Sequence, residues 1–201
     1  GVAEFDLTTQ RFKTLLQGNV DAIYFNEKLY IGKREEVFVY NESTGNFDLY
    51  YHLAGKDITL SCLHLDEKKN LWMGTTSNGL YCLSGDKKIS QPVTRGNIAS
   101  IYEDSSKELW ICTWEEGLYR IKTDSTIENF RHDPKNPNSI CADFVRSCCE
   151  DNAGNLWIGT FHGLNRYEKS TGKFQLYTAN ANKPDGLTHS SIWCIVNDEQ
   201  G

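Results

Sequence analysis

The 201-residue sequence contains no apolar run of the ~18 residues that a membrane-spanning helix needs. It also lacks an excess of positive charge, because 21 Lys and Arg stand against 27 Asp and Glu and the net charge is -6. The basic residues are scattered, and a chain without a basic patch has no electrostatic footprint for phosphate backbones. We therefore expect no direct membrane contact by these residues and no nucleic-acid partner.

The sequence has little that points to catalysis or to a metal. It contains no HExxH motif and no glycine-rich loop that could hold phosphates. None of the five histidines has an Asp, Ser or Cys partner at a fixed spacing, and a reactive group needs such a partner to hold it in place. We predict no catalytic residue, no metal site and no cofactor. His64 and His189, which lie in or next to predicted strands, leave a lyase-type or metal site as an alternative.

The seven cysteines show neither the CxxC spacing of a metal site nor the pattern of a small disulfide-linked domain. What the sequence does contain is aromatic and small residues, with 12% Phe, Trp and Tyr and 16 glycines. They occur in short bursts separated by turn residues, which is typical of an all-β protein.

Four segments share an aromatic residue that is followed by a small residue and a turn. They read LYIGKREEVFVY, LWMGTTSNGLYCL, LWICTWEEGLYRI and LWIGTFHGLNRY. Their aromatic residues are separated by 42, 38 and 47 residues, and they are Tyr30, Trp72, Trp110 and Trp157. A period near forty with several short strands per unit is typical of propeller blades or of a solenoid. Because these four aromatics recur at the same place, we predict that they are core residues.

An apolar segment precedes each aromatic and ends at an acidic or amide residue. These residues are Asn26, Asp66, Asp104, Asp151 and Asp198. The residue four positions earlier is always small, and this column is Ala22, Cys62, Ser100, Ser147 and Cys194. Small residues fit the innermost strand of a propeller blade, where neighbouring blades converge. Cys62 and Cys194 are therefore predicted as small buried fillers, and Cys112 as a substitute for the glycine of LWxGT.

These patterns predict an all-β fold, a partial β-propeller of four-stranded antiparallel blades, with about four to five blades and incomplete at both ends. Residues 1–15 would be the last two strands of a blade. Further blades would occupy 16–50, 58–90, 98–130 and 140–178, and the first strand of another would occupy 187–201. We expect the remaining blades in a longer parent chain.

The segment LWIGTFHGLNRYEKSTGKFQLY, preceded by HDPKNPNSI and by an inner strand that ends CEDNAGN, resembles the two-component regulator propeller repeat. The core pattern (D)xxGxLWIGTxxGLxxY recurs over nearly the whole chain, although the first unit has Tyr30 in place of Trp. The resemblance implies the periplasmic sensor region of a Bacteroides-type hybrid two-component system. Its parent chain would be anchored in the inner membrane and would carry a histidine kinase and a response regulator.

The loops that join the second and third strands of each blade fall on one face, and there the units differ most. A saccharide site needs an exposed aromatic ring beside carboxylates, amides or Arg. Two loops offer this combination, and Arg34 and Glu35 are the equivalent residues of the first unit. The candidate ligand-binding residues are therefore Trp114, Glu115, Glu116, Phe161, His162, Arg34 and Glu35. As an alternative, Trp114 and Phe161 are loop aromatics that fold back over the blades.

The expected function is ligand sensing, with no enzymatic activity in this segment. The resemblance implies a ligand that is a breakdown product of a polysaccharide, and a signal that passes to a histidine kinase elsewhere in the parent chain. The expected partners are an oligosaccharide, the remaining propeller blades and a second copy of the chain in a homodimer. The alternatives are a protein-interaction or dimerisation scaffold without its own ligand, and a lyase-like propeller enzyme.

Overall fold

The computed structural model describes residues 1–55, 57–93, 95–180 and 186–198. These residues form eighteen β-strands in five antiparallel sheets, four of which have four strands. The all-β fold with four-stranded antiparallel sheets is as predicted. Within the described residues no helix combines the length and the apolar character that crossing a membrane requires.

Each four-stranded sheet is an up-and-down meander, which we call a blade. A two-stranded sheet precedes the blades and consists of β1 (Val2–Asp6) and β2 (Arg11–Leu16). Blade 1 consists of β3 (Ala22–Phe25), β4 (Leu29–Lys33), β5 (Glu36–Asn41) and β6 (Asn46–His52). Blade 2 consists of β7 (Leu60–Leu65), β8 (Leu71–Thr75), β9 (Leu80–Leu83) and β10 (Ile89–Val93). Blade 3 consists of β11 (Ile98–Glu103), β12 (Leu109–Thr113), β13 (Leu118–Ile121) and β14 (Ile127–Phe130). Blade 4 consists of β15 (Val145–Glu150), β16 (Leu156–Thr160), β17 (Gly163–Glu168) and β18 (Lys173–Tyr177).

In blades 2, 3 and 4 the acidic residue is hydrogen-bonded to the tryptophan six positions later. In blade 3 the Asp104 Oδ1 atom accepts the backbone N–H groups of Ser106 and Glu108, at 2.9 and 3.0 Å. The other carboxylate oxygen accepts the indole N–H of Trp110 at 2.9 Å. One carboxylate therefore closes the turn of the inner hairpin and fixes the ring that the hairpin brings back, which explains the constant spacing.

The hydrophobic core is divided among the spaces between consecutive blades. Three clusters of buried side chains each combine residues of two neighbouring blades. Members from the two sides of each space include Val37 and Leu60, Leu80 and Ile98, and Leu118 and Val145. Each blade is thus held mainly by its neighbours, as in other repeat proteins. Trp157 is only half-buried, whereas Trp110 is fully buried between blades 3 and 4.

In blades 2 and 4, the small residue four positions before the aspartate pairs with a glycine of the second strand. The next unit packs directly on this pair. Cys62 pairs with Gly74 in blade 2, and Ser147 pairs with Gly159 in blade 4. A Cβ atom on Gly74 would lie 2.5 Å from the Cys62 Sγ atom and 2.8 Å from the Ile98 Cγ2 atom of blade 3. Small residues are therefore needed because two blades meet here.

Gly74→Ala is expected to lower the free energy of unfolding by about 1–3 kcal/mol, because the added methyl group overpacks the contact between blades 2 and 3. Urea unfolding followed by circular dichroism measures the change. Gly85→Ala is the matched control, since a Cβ at exposed Gly85 would meet nothing within 4 Å. Equal stability of the two variants would contradict the close packing of the blades.

The last described segment packs on blade 4 but does not form the strand that was predicted there. Residues 186–198 contain no strand, and residues 199–201 of the predicted strand lie outside the described part. The Ile192 N–H group donates to the Thr160 carbonyl at 2.9 Å, and a Cβ on Gly159 would lie 2.7 Å from the Ile192 Cγ2 atom. Ile192 thus packs on blade 4 as Ile98 packs on blade 2. Each inner strand pairs with an LWxGT-type strand, and no such segment follows within the sequence. Cys194 is exposed, so its prediction as a buried filler is wrong.

Candidate functional site

The inner strands of the blades bring one variable position of every unit to a single cavity. This position lies five residues before the acidic or amide residue of each unit, and we call it the axial column. Its residues are Asp21, Ser61, Ala99, Arg146 and Trp193. All five line a cavity of about 450 Å³, which we call the axial cavity, together with Thr59, Leu60, Thr76, Asn97, Ile98 and Trp114.

A β-bulge places the axial-column residue in blades 2, 3 and 4. In blade 4, Val145 pairs with Thr160 and Ser147 pairs with Gly159, so Arg146 is the extra residue of the inner strand. The registers of blades 2 and 3 leave Ser61 and Ala99 unpaired in the same way. A bulge interrupts the alternation of a strand and re-aims one side chain. Here it directs the one column that differs between units toward the shared cavity.

Arg146 is surrounded by aromatic rings. Its guanidinium carbon lies 3.5 Å from the ring centroid of Trp193, 4.6 Å from that of Trp114 and 5.2 Å from that of Phe144. In the part of the chain that the structure describes, its guanidinium has no ion pair and no hydrogen bond to a protein atom. The residue therefore combines a half-buried cation with available N–H donors.

The aromatic candidates from two different loops form one continuous group. Phe144 lies between them, 5.1 Å from Trp114 and 5.6 Å from Phe161, measured between ring centroids. His162 continues the group at 5.7 Å from Phe161. Trp114 is 36% exposed, Phe161 48% and Trp193 64%, so the group presents ring surface to solvent. This geometry is an aromatic surface beside a cation, which suits the C–H faces of a sugar ring.

The acidic candidates in the same loop differ in their availability. Glu116 is paired with Arg131, which also contacts the Asp143 carboxylate at 3.0 Å. Glu116 thus holds the loop in place. Glu115 is exposed and, among the described residues, makes no ion pair. It remains available to a ligand at the rim.

Arg34 and Glu35 of blade 1 lie apart from the aromatic group. Their side chains contact each other, with 3.7 Å between Arg34 Nε and Glu35 Oε2. The Arg34 backbone N–H donates to the Asp21 Oδ2 atom at 2.6 Å, which orients a carboxylate that lines the axial cavity. Because the Leu60 N–H group also donates to the Arg34 carbonyl at 2.9 Å, the structure links these two candidates to the cavity through Asp21 and Leu60.

His64 and His189, on which the alternative of a lyase-type or metal site depends, are not among the residues that line the axial cavity. His64 is half-buried beside Glu103, with 3.6 Å between Nε2 and Oε2, and its ring contacts Tyr24. Burial lowers the pKa of His64 and outweighs the opposite effect of the Glu103 carboxylate. His189 is exposed. No three His, Cys, Asp or Glu side chains come together as a metal site would need, as far as the described residues extend.

A second cavity of about 820 Å³ opens between the two-stranded sheet and blade 1. It is lined by residues of several strands and turns, and none of the candidate site residues is among them. The axial cavity is the better candidate site because side chains from five units converge there.

Sequence reasoning missed Asp21, Phe144, Arg146 and Trp193. The columns that were compared are those in which the units agree, and the axial column lies between them. The signal was present, because its five members have five different side chains within an otherwise regular strand. In a repeat protein, a position that varies at a fixed place in the unit is where a binding surface is expected.

Comparison with known proteins confirms the resemblance that the repeats suggested. Residues 139–162 match the model of the family described as two component regulator propeller. No curated protein sequence matches the chain significantly.

Solved structures confirm the propeller fold. The extracellular domain of the one component system BT4673 from B. thetaiotaomicron is similar with a TM-score of 0.66 and 18% identity, over 98% of this chain and 35% of that one. The extracellular domain of the hybrid two component system BT3049 from the same organism has a TM-score of 0.57 and 21% identity, over 100% of this chain and 33% of that one. The virginiamycin B lyase of Staphylococcus aureus has a TM-score of 0.64 and 17% identity, over 81% of this chain and 56% of that one.

The chain thus spans about a third of the two extracellular domains. At these identities the similarity shows a shared fold. The chain is a propeller segment that resembles the extracellular domains of BT4673 and BT3049, and it resembles the virginiamycin B lyase in the same sense.

Proposed function

We propose that the chain is the ligand-sensing propeller segment of a bacterial hybrid two-component sensor and that the axial cavity binds a saccharide, the product of polysaccharide breakdown. The observation that carries the proposal is the convergence of the axial column on one cavity beside an exposed aromatic surface. Trp114 and Trp193 offer rings for the C–H faces of a sugar, and Asp21, Ser61 and Asn97 offer polar groups for its hydroxyls. The sensor would lie in the periplasm, and its parent chain would carry the histidine kinase.

Hydrogen bonds between neighbouring blades connect the strands at the axial cavity to the rest of a propeller. The Ser61 hydroxyl of blade 2 donates to the Ile98 carbonyl of blade 3 at 2.6 Å, and the Ser100 hydroxyl donates to the Arg146 carbonyl of blade 4 at 3.0 Å. These hydrogen bonds join the strands that line the cavity. A ligand that contacts several axial-column residues would favour one relative arrangement of the blades. The signal would then reach a kinase through propeller packing, in a homodimer of the parent chain.

Calorimetric titration with a panel of oligosaccharides tests the proposal. We expect binding by the chain and a loss of about tenfold or more in affinity for Trp193→Ala, which removes both ring surface and the support of Arg146. Phe25→Ala is the control, because Phe25 is 75% exposed and lines the other cavity. Absence of heat with every oligosaccharide would favour a scaffold without a ligand, and a larger effect of Phe25→Ala would move the site to the other cavity.

A further inference from the structure

We infer that the axial cavity selects saccharides that carry an oxyanion, either a carboxylate or a sulfate ester, and that Arg146 binds this group. The inference rests on the proposed function, because it names the class of saccharide that the same cavity takes.

The first observation is that Arg146 lacks the partners of comparable arginines. Arg120, also half-buried, contacts the carboxylates of Glu108 and Glu128. Arg166, half-buried in blade 4, donates to the Asn155 side-chain oxygen at 2.8 Å. The guanidinium of Arg146 has aromatic rings as its only partners in the described residues. A cation that is partly removed from water by rings, without a counter-ion, favours an incoming anion.

The second observation concerns the direction in which this guanidinium can bind. Stacking on an aromatic ring uses the face of the planar group, and its N–H donors point outward in the plane. A carboxylate or a sulfate can accept two of these donors in parallel, whereas a sugar hydroxyl accepts one. The rings of Trp114 and Trp193 therefore fix the orientation of Arg146 without using the donors. The same rings are available to the ligand's apolar face.

The third observation is that no carboxylate of the described residues pairs with Arg146, because exposed Glu115 is not among the residues that line the axial cavity and two other nearby carboxylates already have partners. Glu116 is paired with Arg131, and Asp21 accepts the backbone N–H group of Arg34. In the axial column, Ser61 and Ala99 lie between Asp21 and Arg146 in unit order, and both are small. Asp21 at the first position of the column thus offers an acceptor for hydroxyls and Arg146 at the fourth position offers a cation, with two small residues between them. A saccharide with hydroxyl groups and one anionic substituent matches this arrangement.

The test is calorimetric titration of the chain with saccharides matched in every group except the charged one. One pair is an oligogalacturonate and the corresponding neutral oligogalactoside, and a second pair is a sulfated oligosaccharide and its desulfated form. We expect the anionic member of at least one pair to bind roughly tenfold to a hundredfold more tightly, with affinity that falls as salt is raised. The two pairs distinguish a carboxylate from a sulfate as the group that is bound.

Three substitutions test which charge sets the preference for the anionic member of each pair. Arg146→Gln should reduce the preference for the anionic member to about threefold or less, while Asp21→Asn removes a negative charge and should leave or increase that preference. Arg146→Lys keeps the charge but not the planar donors, and should retain part of the preference. Circular dichroism confirms that each variant is folded.

Three results would overturn the inference. Equal binding of anionic and neutral members would do so while leaving the proposed saccharide function in place, as would an anionic preference that survives in Arg146→Gln. No binding of any member would overturn the inference and the proposed function together.

Discussion

Replacing Trp110 by alanine is expected to lower the free energy of unfolding by about 3–5 kcal/mol, the range for a large aromatic residue removed from a packed core. Trp110 is 0% exposed and lies between blades 3 and 4. Its ring packs on Phe130 at 5.9 Å and meets the edge of Tyr167 at 5.4 Å, measured between centroids. The substitution leaves a cavity in the interface and removes a donor from the Asp104 carboxylate. Urea unfolding followed by far-UV circular dichroism measures the change.

The matched control for this substitution is Trp114→Ala, four residues later and directly after the end of β12, the strand that contains Trp110. Trp114 is 36% exposed and contacts Phe144 and Arg146 at the cavity rim. Its removal should cost clearly less stability than removal of Trp110, while reducing saccharide affinity. A greater loss of stability for Trp114→Ala would show that the repeated aromatics do not hold the blades together.

The architecture could be predicted because the repeat encodes it locally. Asp151 and Trp157 are six residues apart since one carboxylate must close a turn and also accept the indole N–H, at 2.7 Å. The small residue opposite Gly159 is likewise set by a close contact, which blades 1 and 2 repeat at Gly32 and Gly74. Such constraints leave the same mark in each unit, so comparison of the units reveals them without coordinates.

The residues of the candidate site could not be predicted, because they depend on features that do not recur in each unit. A bulge at Arg146 cannot be read from alternation of apolar and polar residues, because the bulge interrupts that alternation. The contact between Arg146 and Trp193 joins residues 47 positions apart in different units. Strand formation is non-local as well, and the segment around Ile192 has the residues of an inner strand but no partner strand within the sequence. The candidate site is therefore assembled from the positions at which the units differ.

One further difference between units replaces a glycine by a cysteine. Cys112 occupies the strand-two position that is Gly74 in blade 2, and its Sγ atom lies 3.6 Å from that of Cys148 in blade 4. The hydrogen bond between the Cys148 and Cys112 thiols, together with burial, raises the pKa of Cys148. A buried thiol in its neutral form behaves as a small apolar side chain, so this pair fills the space where two blades meet.

Lys169→Met is expected to lower the free energy of unfolding by about 3 kcal/mol at neutral pH, the lower end of the range for removing one partner of a buried ion pair. Lys169 lies in the turn between β17 and β18, and its Nζ atom is 2.8 Å from the Asp104 Oδ2 atom and 2.6 Å from the Glu150 Oε1 atom. Its side chain is 22% exposed, whereas those of Asp104 and Glu150 are 0% and 7% exposed. The lysine therefore joins blade 3 to blade 4 and places one positive charge between two carboxylates that burial would otherwise penalise.

The same ion-pair group gives the effect of Lys169→Met a defined pH dependence. Burial alone would raise the pKa of Asp104 and of Glu150, but hydrogen bonds from Lys169 and other donors outweigh burial, and both pKa values are lowered. A lowered pKa in the folded state stabilises the protein fully above the pKa of the unfolded chain, which is about 4 for these groups. That contribution is lost as pH falls through the folded-state pKa. Lys169→Met removes one of the donors that lower both pKa values, so the two carboxylates are expected to contribute less of this stabilisation.

Urea unfolding of both proteins between pH 3 and pH 8 measures this dependence. The stability difference between the parent protein and Lys169→Met should be largest near neutral pH and should shrink as pH falls below about 4, where the carboxylates become protonated. Lys88→Met is the control, since Lys88 pairs with Asp86 at 2.8 Å on the exposed surface and its loss should change stability little at any pH. A difference that is the same at pH 3 and pH 7 would mean that Lys169 acts through packing of its stem rather than through its charge.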